Sequence, residues 1–317
     1  MTSTGKRTSI TAVLVLALSL GAGTASALDI LLTNDDGYNA VGINSVYTAL
    51  VNAGHNVTMV APMNNQSGKA MAWSSDPSVA YTFGRVPGTT TKWFFDGTPV
   101  DTIQVGLDVV LAGNPPDLVI SGSNIGENAG ALTNQSGTVG AALKALQRGI
   151  PAIAISVQRN ATNAMFDDAA QFLVRLVDQL TVTGAPALPW WCDYVPTNPI
   201  CLAPALAVKL PTGAGLNVNY PARAASQVVG VVFARVAKYT TLDFSFGYEN
   251  SIEDGVLYLT FNGSAPPPPA PQPEDLRKLY AGNITISPIS WDLNASTIER
   301  FSVADSLGDL ITEGAPQ

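Results

Sequence analysis

The chain has 317 residues, of which 46% are hydrophobic and 13% are charged. This composition excludes a largely disordered chain, and the length is sufficient for one large α/β domain or two smaller ones. The net charge of −8 disfavours nucleic-acid polymers and anionic membranes as non-specific partners.

Residues 1–27 have the pattern of a secretory signal peptide. Lys6 and Arg7 form a basic start, residues 10–21 are apolar, and the small residues at 25–27 form a cleavage site. The apolar segment is shorter than the roughly 20 residues that span a bilayer, and an uncleaved membrane anchor is the alternative interpretation. We expect a secreted, periplasmic or cell-envelope protein that begins near Leu28 and does not contact the membrane after cleavage. Without the two basic residues its net charge would be −10, from 14 basic and 24 acidic residues.

Strands and helices alternate along residues 28–180 of the sequence. The predicted strands are 28–33, 56–61, 118–121 and 152–157, and the predicted helices are 42–52, 138–148 and 166–180. This order predicts an α/β fold with a doubly wound, mostly parallel sheet.

The pattern changes in the last third of the chain. We assign residues 28–225 to an α/β core domain and residues 226–317 to a C-terminal β-rich extension, with β runs at 228–237 and 256–261. The Pro-rich loop at 262–273 cannot form a helix or a central strand.

Cys192 and Cys201 lie nine positions apart in a segment rich in Pro and Trp. Export of the chain favours a disulfide between them. A zinc site is the alternative, but two cysteines without a nearby histidine do not supply its usual ligands.

The first predicted strand runs directly into Asn34, Asp35, Asp36 and Gly37. Ligand sites in parallel sheets lie at the carboxyl ends of the strands, and two adjacent carboxylates repel unless a proton or a cation lies between them. A divalent ion with oxygen ligands would resolve the repulsion. The alternative is that the two aspartates only form a turn and cap a helix.

Polar residues follow the other predicted strands as well. Ser67 follows the second strand, and Asn124 and Asn128 lie between glycines after the third. Ser136, Gly137 and Thr138 begin a helix, whose free N–H groups and hydroxyls can bind phosphate; N-capping alone is the alternative role for the two hydroxyls. These segments predict one polar site at the carboxyl edge of the sheet.

Six motifs in this order resemble the SurE family of metal-dependent 5'/3'-nucleotidases. They are NDDG at 34–37, N-x-SG at 65–68, DGTPVD at 96–101, SGSNxGxNxG at 121–130, SGTVGAA at 136–142 and GIPAIAIS at 149–156. The resemblance covers residues 28 to about 157, and LNVNYP at 216–221 and ITISPISWDLNA at 284–295 are fainter echoes.

The resemblance implies a Rossmann-like phosphomonoesterase with one divalent metal ion, such as Mg²⁺ or Mn²⁺. It also implies a homodimer or homotetramer in which the C-terminal extension is an oligomerisation element. The implied metal ligands are Asp35, Asp36, Ser67 and Asn124. The implied substrate and phosphate contacts are Asn34, Asn124, Asn128, Ser136, Gly137 and Thr138, with Gly97, Thr98 and Asp101 in the pocket wall.

The residues present favour hydrolysis by a metal-activated water. His55 is the only histidine and lies between a helix and a strand, which disfavours a phosphohistidine or a His-based triad. Asp35 and Asp36 are the expected catalytic residues, with Asp35 as the acceptor of the water's proton. Glu127 and Gln135 stand where the family often has proline and tyrosine, and we expect Glu127 to place a negative charge toward an anionic ligand.

The sequence leaves two other functions open. A broad-specificity secreted acid phosphatase would accept the same phosphomonoesters with little regard for the base. A binding protein would capture a metal or a phosphorylated ligand without hydrolysing it. For the favoured function, a metal-dependent phosphomonoesterase, the expected substrate is a nucleoside monophosphate.

Overall fold

The computed structural model describes residues 27–181, 208–210, 213–240, 242–248, 257–263 and 273–292. Residues 1–26 of the expected signal peptide, both Cys192 and Cys201, and residues 264–272 of the Pro-rich loop lie outside these ranges. The signal peptide and the disulfide therefore stay predictions.

Strands and helices alternate as the sequence predicts, and each strand and helix expected before residue 181 is present. The strands are β1 Asp29–Thr33, β2 Asn56–Pro62, β3 Phe83–Arg85, β4 Lys92–Phe95, β5 Leu118–Ile125, β6 Ala152–Val157, β7 Ala214–Tyr220, β8 Val231–Phe233, β9 Leu242–Tyr248, β10 Leu257–Gly263 and β11 Ile284–Ser290. The helices are α1 Val41–Asn52, α2 Pro99–Val105, α3 Gly137–Gln147, α4 Asn163–Leu180 and α5 Asp275–Tyr280.

Nine of the strands in the described residues form one sheet, in the order β3-β4-β2-β1-β5-β6-β7-β11-β8. Neighbouring strands from β4 to β7 are parallel, whereas β3 and β11 run antiparallel to β4 and β7. The fold is thus α/β with a mostly parallel sheet, as predicted. The chain winds outward on one side of β1 through β2 and then returns to its other side at β5, and ligands bind at such switch points.

Helices cover both faces of the sheet. In β1, Ile30 and Leu32 pack against α1 and α4, while Leu31 points to the opposite face and packs with α2 and α3. Central strands that are buried on both faces are rich in apolar residues, which is why β1, β2 and β6 could be recognised from their sequences.

The segment before the third expected strand is more structured than the sequence suggests. Two short strands, β3 and β4, precede it and were not predicted, because three or four residues carry too little periodicity. The expected strand 118–121 continues to Ile125 as β5, with an irregular register between Ser121 and Asn124. The polar segment that was expected to be a loop therefore starts inside the sheet.

Part of the expected C-terminal extension belongs to the main sheet. Within the predicted β run 228–237 only β8 is a strand, and β8 and β11 complete the sheet beside β7. The β9–β10 hairpin forms a separate two-stranded sheet. The division at residue 225 stays a prediction for the remainder of the segment. In the described ranges, no helix is long and apolar enough to cross a membrane.

Candidate active site

A tight turn after β1 carries the two adjacent aspartates. The Asn34 side chain is fully buried, and its Nδ2 donates to the Gly37 carbonyl at 2.9 Å. Gly37 has a φ of +100°, a conformation that glycine adopts without a steric cost. Asn34 therefore holds the turn from inside the protein, and its expected contact with substrate stays a prediction.

Asp35 packs against the first turn of α3. Its Oδ1 accepts a hydrogen bond from the Thr138 hydroxyl at 2.7 Å, and the side chain is 3% exposed. Burial raises the pKa of Asp35, while hydrogen bonds from the Thr138 side chain and from the backbone of Thr138 and Gly137 lower it. A Cβ atom at Gly137 would lie 2.9 Å from the Asp35 Cβ, so only glycine permits this approach.

This contact changes the interpretation of the helix start. The Thr138 hydroxyl and the backbone of Gly137 and Thr138 interact with Asp35, while the Ser136 hydroxyl accepts a hydrogen bond from the Val139 N–H at 3.1 Å and caps α3. Donors that were expected to bind phosphate therefore support a carboxylate in this structure. Their contact with a phosphate stays a prediction.

Asp36 faces the end of β5 and the loop after β2. Its Oδ2 accepts a hydrogen bond from the Ile125 N–H at 2.8 Å, and its Oδ1 accepts one from the Asn65 Nδ2 at 3.4 Å. Burial, together with the negative charge of Asp35, raises the pKa of Asp36 to about 6. The two carboxylates therefore interact unfavourably when both are ionised.

Two further residues that were expected to bind a metal, Asn124 and Ser67, lie in segments that contact the turn after β1. The Asn124 Nδ2 donates to the Gly126 carbonyl at 2.6 Å, and its Oδ1 accepts no hydrogen bond from the described residues. Ser67 lies in the exposed loop after β2, which is tied to the turn because the Gln66 N–H donates to the Asp35 carbonyl at 2.7 Å. No group of three or more His, Cys, Asp or Glu side chains in the described residues could hold a metal ion. The carboxylate, amide and hydroxyl oxygens present suit a hard divalent ion.

Asn128 lies at the centre of a buried hydrogen-bond network. Its Nδ2 donates to the Ser156 hydroxyl at 2.9 Å and to the Thr138 hydroxyl at 3.3 Å. Its backbone carbonyl accepts hydrogen bonds from Asn217 at 2.7 Å and Asn219 at 3.2 Å, and its N–H donates to the Asn219 Oδ1 at 2.8 Å. The network links β7 to α3 and, through Thr138, to Asp35.

Sequence reasoning did not assign a role to Asn217 and Asn219. Both are fully buried in β7, where they alternate with apolar residues in the sequence LNVNY. Asparagines at alternate positions point to the same side of a strand. Buried amides need hydrogen-bond partners, so this pattern is the signal that could have identified them.

The residues expected in the pocket wall stabilise α2. Thr98 caps the helix, with Asp101 completing the capping box. Asp101 also accepts hydrogen bonds from the Ser74 N–H and hydroxyl at 2.9 and 2.6 Å. Gly97 lies against the Phe95 ring, which a Cβ atom would approach to 2.3 Å. The two Ser74 hydrogen bonds tie the loop after β2 to α2.

Glu127 does not have the environment expected from the sequence. It is 6% exposed, and its carboxylate accepts hydrogen bonds from the Arg159 N–H at 3.0 Å and the Tyr280 hydroxyl at 2.8 Å. Both carboxylate oxygens are therefore occupied by donors of the protein. The expectation that Glu127 faces an anionic ligand is corrected accordingly. At Gln135, the backbone carbonyl accepts a hydrogen bond from the Ala70 N–H at 3.2 Å.

His55 lies between α1 and β2, at the amino end of β2. Its Nδ1 accepts a hydrogen bond from the Leu28 N–H at 3.2 Å. Burial lowers the pKa of His55, although the charge of Asp178 opposes this effect. The histidine therefore lies at the amino ends of the parallel strands, whereas the aspartates lie at their carboxyl ends.

Two cavities lie beside the loop after β2, and Met71 borders both. One has a volume of about 320 Å³ and reaches Asn134 and Ser136. The other, of about 580 Å³, is lined in part by Trp73 and Asp101. Their sizes suit small organic ligands.

Comparisons with known proteins agree with this architecture. The family model described as "Survival protein SurE" matches residues 30–242. A protein named 5'-nucleotidase SurE from Synechococcus sp. (strain JA-3-3Ab) is 32% identical over 274 residues, which cover 84% of this chain and 93% of that protein. Another of that name from Gloeobacter violaceus is 33% identical over 267 residues, covering 83% and 90%. The crystal structure of the Sure protein from Aquifex aeolicus is similar with a TM-score of 0.66 and 27% identity, covering 88% of this chain and 98% of that one.

Proposed function

The chain belongs to the SurE family, and from this premise we propose that it is a metal-dependent phosphomonoesterase that hydrolyses nucleoside 5'- and 3'-monophosphates. The similar proteins are named 5'-nucleotidases, which supports a hydrolase of phosphoric monoesters. The observation that carries the proposal is the pair of buried Asp35 and half-buried Asp36 at the switch point of the sheet, where the charge of Asp35 contributes to the raised pKa of Asp36.

The proposed cofactor is one divalent ion such as Mg²⁺ or Mn²⁺. The residues that would hold it are Asp35, Asp36, Ser67 and Asn124. The repulsion within the carboxylate pair and the unused Asn124 Oδ1 support this assignment, because such a set of oxygens favours a hard cation. When bound, a divalent ion can polarise phosphoryl oxygens and lower the pKa of water.

Residues of the chain would then orient the reacting groups. The Thr138 hydroxyl and the backbone of α3 fix the orientation of the Asp35 carboxylate, which would accept a proton from the attacking water. A partly desolvated carboxylate with a raised pKa suits general-base chemistry near neutral pH. The Asn128 side chain donates a hydrogen bond to the Thr138 hydroxyl. The position of Asp35 therefore depends on the hydrogen-bond network that extends to β7.

Localisation and assembly are part of the same proposal. A basic, apolar and small-residue pattern at 1–27 supports export to the periplasm, the cell envelope or the medium. Intact-mass measurement of the protein recovered from its producing cells would locate the processing site, and the same spectrum, with and without reduction, would test the Cys192–Cys201 disulfide. Family membership supports a homodimer or homotetramer, which light scattering would measure.

Phosphate release from 5'-AMP, 3'-AMP and p-nitrophenyl phosphate tests the activity. We expect release that stops with EDTA, returns with Mg²⁺ or Mn²⁺, and falls by at least about 100-fold in Asp35→Asn. Asp178→Asn removes an exposed carboxylate from the end of α4 and serves as the matched control. Similar rates with all three esters would indicate a general phosphatase. Tight phosphate binding without release would indicate a binding protein and would contradict the proposal.

A further inference from the structure

Arg159 lies at the same sheet edge as the aspartate pair. It follows the end of β6 at Val157 by two residues, and β6 neighbours β5, which in turn neighbours β1. Adjacent strands are about 4.8 Å apart, so the backbone of Arg159 is only two strand spacings from the end of β1. An arginine at this position is close enough for its long side chain to reach over the edge.

The side chain of Arg159 packs against Gly126, close to Asn124. A Cβ atom built at Gly126 would lie 3.5 Å from the Arg159 Cγ, 3.6 Å from its Nε and 4.0 Å from the Asn124 Nδ2. The side chains of Arg159 and of Asn124, an expected metal ligand, therefore both lie next to Gly126, a residue without a side chain. Gly126 has a φ of +116°, which strongly favours glycine and keeps this space open.

The guanidinium group is available for a ligand. Arg159 is exposed, and no hydrogen bond or ion pair joins its side chain to any other described residue. A cation that no described residue pairs with, at the end of the sheet where the aspartates lie and in a chain of net charge −8, is an attractive site for an anion.

The backbone of Arg159 is fixed relative to Asn124. The Glu127 carboxylate accepts a hydrogen bond from the Arg159 N–H at 3.0 Å, and the Gly126 N–H donates to the Val157 carbonyl at 2.8 Å. These two bonds tie the loop after β5 to the loop after β6. Glu127 is itself held by the Tyr280 hydroxyl at 2.8 Å, so α5 also supports the arrangement.

We propose that Arg159 is a substrate-recognition residue whose guanidinium binds oxygens of the phosphate group being hydrolysed, and that Glu127 is a positioning residue that holds it. The inference rests on the proposed phosphomonoesterase function and assigns a role to two residues of its site. Arginine suits the role because its planar donors match phosphate oxygens and it stays charged at all relevant pH values.

Arg159→Gln tests the recognition role in the metal-loaded full chain. The KM for p-nitrophenyl phosphate and the Kd for inorganic phosphate, the latter from calorimetry, should both rise about 10- to 100-fold, as loss of a charge-assisted hydrogen bond implies. The kcat should change by less than about threefold, since a contact made equally in the ground state affects KM. Arg159→Lys should restore part of the affinity.

Arg175→Gln is the matched control because Arg175 is also exposed but lies well along α4 from the site. Unchanged KM and phosphate affinity in Arg159→Gln would overturn the recognition role. If the full chain released no phosphate from any ester, the proposed function would fail, and phosphate binding would still decide the role of Arg159.

Glu127→Ala distinguishes substrate repulsion from positioning of Arg159, because the two roles predict opposite changes in KM. A carboxylate that repelled the substrate would, when removed, lower the KM. A carboxylate that positions Arg159 would, when removed, raise the KM, and we expect a rise of about 3- to 10-fold with the arginine still present. A fall in KM would overturn the positioning role.

Discussion

Replacing Asp36 with asparagine should stabilise the protein when divalent ions are chelated. Burial and the charge of Asp35 raise the pKa of Asp36 from 3.8 to about 6. Between about pH 4 and pH 6 the folded chain therefore keeps a proton on Asp36 that the unfolded chain has released. The free energy of unfolding falls as pH rises through this window. At pH 7.5 this effect corresponds to about 3 kcal/mol. This is an upper estimate for the substitution, because an amide is a weaker acceptor than a carboxylate for the Ile125 N–H.

Thermal and urea denaturation in EDTA would measure the difference. At pH 7.5 the Asp36→Asn chain should melt up to about 6 °C above the unchanged chain, and the difference should vanish near pH 4. Adding Mg²⁺ or Mn²⁺ should raise the melting temperature of the unchanged chain and have much less effect on the variant. Asp178→Asn, on an exposed position, should show neither effect at pH 7.5, where the His55 imidazole that its charge acts on is neutral. If chelated Asp36→Asn were no more stable than the unchanged chain at pH 7.5, the argument from mutual repulsion would be refuted.

Three further substitutions test how Asp35 is held. Gly137→Ala would place a Cβ atom 2.9 Å from the Asp35 Cβ, so kcat/KM for p-nitrophenyl phosphate should fall at least about tenfold; full activity would contradict the observed packing. Thr138→Val removes the hydroxyl that donates to Asp35, so kcat should fall about tenfold. The acid limb of the pH–rate profile should move to higher pH, because this hydrogen bond lowers the pKa of Asp35. Thr138→Ser should keep both kcat and the acid limb near normal. Asn219→Leu removes two hydrogen bonds to Asn128 and should cost about 1–3 kcal/mol in urea denaturation, with a larger effect on kcat than on KM; equal effects on both would argue against a role in orienting Asp35.

The elements that the sequence predicts correctly are those with strong local signals. β1 and β6 are short apolar runs bounded by turn residues, and α3 and α4 have helical periodicity with clear ends. β7 was missed, because its two buried asparagines interrupt the apolar run. Its pairing with β11 joins residues more than 60 positions apart, and local pattern carries no information about such a pairing.

Most residues of the candidate site can also be identified from the sequence. Asp35, Asp36, Asn124 and Asn128 follow predicted strands in an alternating β and α order, and the carboxyl ends of parallel strands lie at one end of the sheet. The structure places all four at that end. Their roles as ligands or substrate contacts stay predictions, since the assignment to a particular ligand depends on atoms that strand order does not specify.

The sequence by itself determined that this chain forms a doubly wound α/β sheet and that polar residues gather at its carboxyl edge, because both properties follow from local periodicity and from the order of elements. Only the tertiary structure decided which donor faces which acceptor. In the folded chain Thr138 donates a hydrogen bond to Asp35, and Asn217 and Asn219 donate to the Asn128 carbonyl. Glu127 accepts a hydrogen bond from the backbone of Arg159. The residues of these pairs are separated by 32 to 103 positions. Hydrogen bonds act over about 3 Å, so such partners are determined only when the packed sheet and helices bring distant side chains within that distance.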